Sequence, residues 1–179
     1  SHQFTWHTSY DLPIGAGRLV NLNGWADHAF GGWTINTIAY LSSGVPVVTP
    51  SGTGDPFFHQ RVDQVCDPGS NAQHTVKQWF TYTCFAQPAS QFVAGKSSRF
   101  LSHVRTDGAS DLDVSLFKNV KLGAERNLRL EVSSYNVTNS VQLGYPSVFW
   151  RPSPTPANMS GFGQITSSAN TPRQFQFAA

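Results

Sequence analysis

The feature that most constrains this chain is a two-residue alternation of apolar and polar side chains along several short segments. Near the start, Phe4, Trp6 and Tyr10 alternate with polar neighbours, so an extended backbone places them on one face. No segment shows a convincing helical period. The alternating segments are residues 2–12, 30–41, 111–116, 128–133 and 174–178. We therefore predict an all-β protein.

The length and the turn-forming residues favour one domain made of many short strands. The 179 residues suit a single domain over residues 1–179. The 15 glycines and 11 prolines are typical of strands broken by turns, and one hairpin turn is expected around residues 122–126. Residues 49–110 show little alternation and are expected to form one long loop, a kind of segment that is often functional.

The charge and the hydropathy pattern exclude other classes of protein. Twelve basic and ten acidic side chains give a net charge of +2, which is too balanced to indicate a nucleic-acid partner. No window reaches the ~20 apolar residues of a transmembrane helix. Because no initiator Met or signal peptide stands at the front, we expect Ser1 to begin a mature or excised piece. No cofactor is expected.

The two cysteines lie in one polar stretch. Cys66 and Cys84 are 18 residues apart, and a disulfide there would close a long loop with a benefit of about 3 kcal/mol. Such a bond suits an oxidising, extracytoplasmic compartment. The alternative is a pair of reduced thiols.

Paired carboxylates offer one catalytic hypothesis. Glycoside hydrolases use two acidic groups ~5–9.5 Å apart. Asp111 and Asp113 would share one strand face about 7 Å apart. Glu125 and Glu131 would lie about 20 Å apart on one strand, too far to act together, unless Glu125 lies in the turn. These four carboxylates are the catalytic candidates of a small soluble β-sandwich glycosidase or carbohydrate-binding protein.

A metal site is not expected. Asp55, His59 and Asp63 are the candidates because they are each four residues apart, which would place them on one face of a helix. Pro56 and the surrounding loop composition argue against a helix at this point. The His-Glu-x-x-His and paired Cys-x-x-Cys motifs of zinc sites do not occur.

Four motifs in a fixed order connect the chain to a known family. They are YDLPIGAGR at 10–18; GGWTI at 31–35 running on to LSSGVP at 41–46; LDVSLFKN at 112–119 with RLEVSSYNVTN at 129–139; and FGQIT at 162–166 followed by PRQFQF at 172–177. In this order they resemble the C-terminal barrel region of bacterial TonB-dependent outer-membrane receptors. The likeness is to the Oar-like group, whose members often carry a carboxypeptidase-regulatory-like domain.

The resemblance implies antiparallel, up-and-down strands of an outer-membrane barrel and a bacterial outer-membrane location. It also implies energised uptake through a plugged pore. Short turns at residues 13–17 and 122–126 would face the periplasm, and long loops at 49–110 and 140–165 would face outward. Trp6, Tyr10, Trp33 and Tyr40 would suit the aromatic girdles at the membrane interfaces.

The implied partners follow from the size of the family barrel. That barrel has about 22 strands, whereas the alternation predicts five or six here. The chain would therefore need the remaining strands and the plug of a parent receptor, together with outer-membrane lipid. We expect a non-catalytic receptor fragment; an isolated chain would form a small soluble barrel or sandwich, or self-associate. A polysaccharide ligand, or a carbohydrate or protein bound by the 49–110 loop, remains the alternative.

Overall fold

The structure is a computed structural model that describes residues 1–52, 61–90, 92–122, 126–150 and 161–179. In chain order its elements are β1 (Gln3–Asp11), α1 (Trp25–Phe30), β2 (Trp33–Ser42), β3 (Pro46–Val48), β4 (Ser51–Gly52), β5 (Asp63–Gln64), a 3-10 turn (Tyr82–Cys84), β6 (Phe85–Ala86), β7 (Phe100–Arg105), β8 (Ala109–Lys121), β9 (Asn127–Tyr135), β10 (Phe149–Trp150) and β11 (Gln174–Ala178). The all-β prediction is confirmed.

The largest element is a five-stranded sheet in the order β1-β2-β8-β9-β11. Every neighbouring pair in it is antiparallel. These five strands are the five segments in which the sequence alternates. The predicted hairpin joins β8 to β9, where the Leu122 amide donates to the Arg126 carbonyl. The β8 strand is longer than predicted because it forms ladders with β2 and β9 beyond residue 116.

The strand register gives the sheet two chemically different faces. Phe4 pairs with Leu41, Ile35 with Leu116, and Leu116 with Val132. Side chains opposite each other in a ladder share a face, so these residues define what we call the apolar face. Its members are Phe4, Trp6, Thr8, Tyr10, Trp33, Ile35, Thr37, Ala39, Leu41, Ser110, Leu112, Val114, Leu116, Lys118, Val120, Leu128, Leu130, Val132, Ser134, Phe175 and Phe177.

The opposite side, which we call the polar face, carries the intervening residues. Its acidic and basic members are Asp11, Asp111, Asp113, Lys121, Arg129 and Glu131. Among the described strand residues, Lys118 alone is charged on the apolar face. The sequence period of two residues therefore sorts almost all charge in the sheet to one side.

The connections between sheet strands differ in length at the two ends of the sheet. At one end of the sheet the shorter connections join the strands, over residues 12–32 and 122–126. At the other end the longer connections do so, over residues 43–108 and 136–173. In an up-and-down sheet successive strands run in opposite directions, so successive connections lie at opposite ends of the sheet.

Short helix α1 was not predicted from the sequence. It has six residues, too few for a helical period to be visible. Its last turn is closed by the Gly31 amide, which donates to the Asp27 carbonyl at 2.9 Å. The Asp27 carboxylate also accepts a hydrogen bond of 2.7 Å from the Ala16 amide. Contacts from outside the helix therefore hold it in place.

The described residues divide into two compact units. The sheet unit comprises residues 2–42, 109–141 and 171–179, and the loop unit comprises 43–108 and 142–170 together with Ser1. The hydrophobic core cluster belongs entirely to the loop unit. Its buried members are Val47, Val62, Trp79, Phe80, Phe85, Leu101, Val104, Trp150, Phe162 and Ile165.

Three aromatic rings form the centre of that core. Phe80, Phe85 and Phe162 contact one another edge to face with centroids 5.2 to 5.9 Å apart, the arrangement that ring quadrupoles favour. Nearby, the indole of Trp79 donates to the carbonyl of Arg105 at 2.6 Å. The loop unit therefore has an apolar core of its own.

The predicted disulfide is confirmed: Cys66 and Cys84 are bonded in the loop unit. Cys84 is buried beside the core residue Phe85. The bond closes an 18-residue separation, which limits the unfolded conformations of this segment.

Replacing both cysteines by serine should destabilise the loop unit by about 3 kcal/mol, because the loop-closure restraint is lost. Hydrogen exchange read by mass spectrometry should show faster exchange in residues 61–90 and unchanged protection in β8 and β9. Wild-type protein treated with a reductant is the matched control and should behave like the double variant. Equal loss of protection in both units would contradict the prediction.

Candidate functional site

The polar face of the sheet carries a connected network of side chains. Arg129 donates through Nε to Glu131 Oε2 at 3.0 Å, and Ser133 Oγ donates to Glu131 Oε1 at 3.1 Å. Ser115 on the neighbouring strand lies 2.8 Å from Ser133, oxygen to oxygen. Both oxygens of Glu131 are thus engaged within the sheet.

An aromatic ring completes this network. The guanidinium carbon of Arg129 lies 4.1 Å from the ring centroid of Phe117, within cation–π range. Phe117 is the cross-strand partner of Glu131, so the cation contacts both a ring and a carboxylate. These residues alternate along β9 and β8, yet their pairing could not be read from the sequence because it depends on the register between the strands.

The three catalytic candidates among the described residues are spread along the polar face. Asp111 and Asp113 are two residues apart on the polar face, as predicted. Glu131 lies opposite Phe117, four residues from Asp113, a separation of about 14 Å along the strand. This distance exceeds the ~5–9.5 Å of a glycosidase pair. Glu125 lies outside the described residues.

The two aspartates differ in their hydrogen bonding. Asp113 Oδ1 accepts from the backbone amide of Asn136 at 2.8 Å, which fixes the chain as it leaves β9. Asp111 Oδ1 is buried and has no hydrogen-bond partner among the described residues.

Asn136 organises the end of β9 with its own side chain. It has φ of 49°, a conformation that Asn tolerates better than most residues. Its buried amide donates to the carbonyls of Ser140 and Thr171 at 2.9 and 3.0 Å. The residue therefore connects the turn after β9 to the segment that leads into β11.

Of the metal candidates, only Asp63 is described. Its carboxylate accepts a hydrogen bond of 2.7 Å from the Lys96 amide, and Asp55 and His59 lie outside the described residues. Within the described ranges, no three His, Cys, Asp or Glu side chains come together as a metal site.

Aromatic residues mark the apolar face and its margins. Trp6, Tyr10 and Trp33 lie on this face as expected for a girdle. Tyr40 does not: it pairs with Thr5 and Asp111 on the polar face. The expectation for Tyr40 was wrong because strand parity, rather than residue type, decides the face.

Apolar side chains on the edge strands of this face are exposed, and most of those on its central strands are half-buried and lie outside the described core cluster. Phe4 is 58% exposed, Phe175 is 60% exposed and Phe177 is 76% exposed. Large exposed apolar surfaces of this kind mark sites of contact with a membrane or a partner. The sheet thus has one face suited to an apolar medium and one suited to water.

Comparison with protein families identifies the class of the chain. The family model described as an outer membrane beta barrel domain matches residues 1–176. The chain belongs to this outer-membrane β-barrel family. No curated protein and no solved structure gives a match. The family indicates an outer-membrane location, and the two-faced sheet is the arrangement that a barrel wall requires.

No helix in the described parts of the chain is both long and apolar enough to cross a membrane.

The loop unit of this barrel protein carries a titratable pair beside its disulfide. His103 Nδ1 lies 2.7 Å from Asp67 Oδ2, and the Gly69 amide donates to Asp67 Oδ1 at 3.0 Å. The hydrogen bond from Gly69 and then that from His103 lower the pKa of Asp67 below its ordinary value. Both bonds favour the carboxylate form.

The loop unit should lose stability as the pH falls through the lowered pKa of Asp67. A carboxyl whose folded pKa lies below its unfolded value of about 3.9 stabilises the fold above that value and loses this contribution below it. Asp67→Asn should lower the midpoint of thermal unfolding at pH 7. In acid, the midpoint of this variant should change less with pH than that of wild type. Near-ultraviolet circular dichroism of the loop aromatics measures both effects.

His103→Asn is the matched control, because it removes the imidazole and leaves the larger Gly69 contribution in place. Asn also tolerates the φ of 58° at this position. The control should keep most of the acid dependence. A wild-type midpoint that rises as the pH is lowered would refute this account.

Proposed function

We propose that this chain forms part of the barrel wall of a TonB-dependent receptor and has no catalysis of its own. In such a receptor the barrel takes up a large or scarce substrate, and energy for uptake comes through a plug inside the barrel. The observation that carries the proposal is the exposed apolar face of a sheet whose other face is polar.

The strand lengths support a membrane-spanning role. Four strands of the sheet, β1, β2, β8 and β9, have 9, 10, 13 and 9 residues. A tilted membrane strand needs about 9–11 residues. Exposed residues such as Phe4 and Leu41 would then contact lipid instead of water.

The edges of the sheet support further strand partners. Strands β1 and β11 lie at the two edges of the described sheet. A membrane offers no water to pair with the open backbone groups of an edge strand, so barrels in lipid must close. We propose that further strands of a larger barrel pair with β1 and β11, and that a plug covers the polar face.

The loop unit supports an extracellular role for the long connections. Outer-membrane barrels have short periplasmic turns and longer extracellular loops, and the long connections here contain the disulfide and the apolar core. A disulfide persists in an oxidising compartment. We propose that the loop unit lies on the extracellular side of the membrane.

The membrane position of the sheet is tested with two adjacent labels on β8. Val114→Cys lies on the apolar face and Ser115→Cys lies on the polar face. An environment-sensitive dye on each cysteine is measured in vesicles that contain brominated lipid; the native cysteines stay in their disulfide. We expect strong quenching at position 114 and little at 115, because only the first side chain meets lipid. Equal quenching at both positions would show that the apolar face is not in the membrane.

The receptor assignment is tested separately with the complete protein that contains this chain. Detergent-solubilised protein should bind an immobilised periplasmic domain of TonB, because a TonB-dependent receptor presents a coupling segment to it. A porin of similar size from the same membrane is the control and should not bind. Failure to bind, or a reading frame that encodes no plug upstream, would leave a barrel wall but remove the TonB-dependent function.

A further inference from the structure

Helix α1 is tied to the margin of the apolar face. Trp33 and Lys118 are cross-strand partners on this face. The indole of Trp33 donates to the carbonyl of Ala29 at 3.0 Å. Lys118 Nζ donates to the carbonyl of His28 at 2.5 Å and reaches that of Asp27 at 3.4 Å. Two side chains of the apolar face thus hold the last turn of the helix.

Lys118 is a charged residue on the apolar face, and its hydrogen bonds to α1 account for its position there. It is a buried lysine on the otherwise uncharged face, and its ammonium group reaches the end of the sheet. Lysine buries its stem along apolar surface and extends its charge toward polar groups. A cation is also favourable beside the carbonyls at the C-terminal end of a helix.

The helix presents aromatic side chains outward at this margin. Trp25 is 78% exposed and Phe30 is 59% exposed, and no residue of α1 is buried. Aromatic rings concentrate at the level of lipid headgroups in membrane proteins. The helix that carries these rings is held by two side chains of the apolar face, so it lies at the margin of the surface that meets lipid in the proposed function.

A basic cavity of about 390 Å³ lies beside the helix. Its charged and titratable lining residues are Arg18, Asp27, His28, Lys118 and Lys121. The lining thus has three cationic side chains and one carboxylate, that of Asp27. The Asp27 carboxylate already accepts a hydrogen bond from the Ala16 amide. The cavity has an excess of positive charge.

Two of these cations are available to a ligand. Arg18 uses one N–H group on the carbonyl of Leu12 at 2.7 Å. Lys121 is a polar-face residue by register, but it is the last residue of β8, is exposed and lines this cavity at the end of the sheet. Neither forms an ion pair with another described residue. Arginine and lysine in such a setting bind phosphate through charge-assisted hydrogen bonds.

Close backbone packing shapes one wall of the cavity. A Cβ at Gly31 would lie 2.3 Å from the Asp27 carboxylate and 3.0 Å from the Cα of Gly15. Both glycines line the cavity. The wall therefore depends on glycine, and a larger residue would displace Asp27.

We propose that this cavity binds the phosphate headgroup of an anionic phospholipid, with Trp25 and Phe30 resting at the headgroup level. The proposal deepens the proposed function and rests on it, because a lipid reaches the cavity only if the apolar face lies in a membrane. The positive charge of the cavity favours a phosphate group as its ligand. The exposed rings of Trp25 and Phe30 favour a lipid over a free anion.

The test uses the whole protein in phosphatidylcholine nanodiscs that contain a minor fraction of phosphatidylglycerol. Native mass spectrometry counts the phosphatidylglycerol retained after the disc is removed. We expect Arg18→Gln/Lys121→Gln to lower its retention about tenfold relative to wild type, as expected for loss of charge-assisted contacts. Lys121→Gln alone should produce a smaller loss, which keeps the test valid if the double variant folds poorly.

Arg126→Gln is the matched control: it removes one charge from the neighbouring turn, and Arg126 does not line the cavity. Its retention should equal that of wild type. Equal loss in the control would assign the effect to general surface charge and overturn the site. Retention by both cavity variants, or displacement of the lipid by inorganic phosphate at similar concentration, would also overturn it.

The dye measurement on β8 separates this proposal from the proposed function. If position 114 is quenched by brominated lipid and no phosphatidylglycerol is retained, only the headgroup site is wrong. If position 114 is not quenched, the membrane position fails and the site fails with it.

Discussion

The structure depends on the antiparallel hydrogen-bond ladder that joins β1, β2, β8, β9 and β11. This ladder pairs the backbone groups of neighbouring strands and fixes which side chains face each other. A shift of one residue would move every apolar side chain of a strand to the other face. The register therefore decides the chemistry of both faces. The alternation in the sequence agrees with it at most positions of the five strands, with Lys118 and Ile38 among the exceptions.

The two units of the chain place their apolar side chains differently. In the loop unit, residues such as Phe80 and Val104 are buried in a core of its own, as in a water-soluble protein. In the sheet, residues such as Phe4 and Phe177 remain exposed. A soluble fold would bury the second set as well. An outer-membrane barrel leaves it to lipid, as the family of this chain requires.

Two charged side chains of the sheet, Glu131 and Lys118, both have polar partners. Glu131 has both oxygens engaged by Arg129 and Ser133 on the polar face. Lys118, a charged residue on the apolar face, extends its ammonium group to the carbonyls of α1. Each position avoids an unpaired charge in an apolar medium, which is costly. The network on the polar face therefore links β8 to β9 through side chains as well as through the backbone ladder.

The sequence by itself determined the five strands of the sheet and their two faces, and it predicted the disulfide. Alternation around Trp6, Leu116 and Val132 is a local property that an extended backbone converts directly into a face. Two cysteines in one polar segment left a single possible pairing within the chain. Tyr40 follows the same rule: it is seven residues from Trp33, and this odd separation places it on the opposite, polar face.

Only the tertiary structure decided the pairings between distant residues. The contact of Lys118 with α1, the cavity with Arg18 and Lys121, and the network through Ser115 and Ser133 bring together segments far apart in sequence. The core of the loop unit is likewise assembled from two separate segments that lack a regular period. Local periodicity carries no information about such contacts, because they are set by the register between strands and by the paths of the connections.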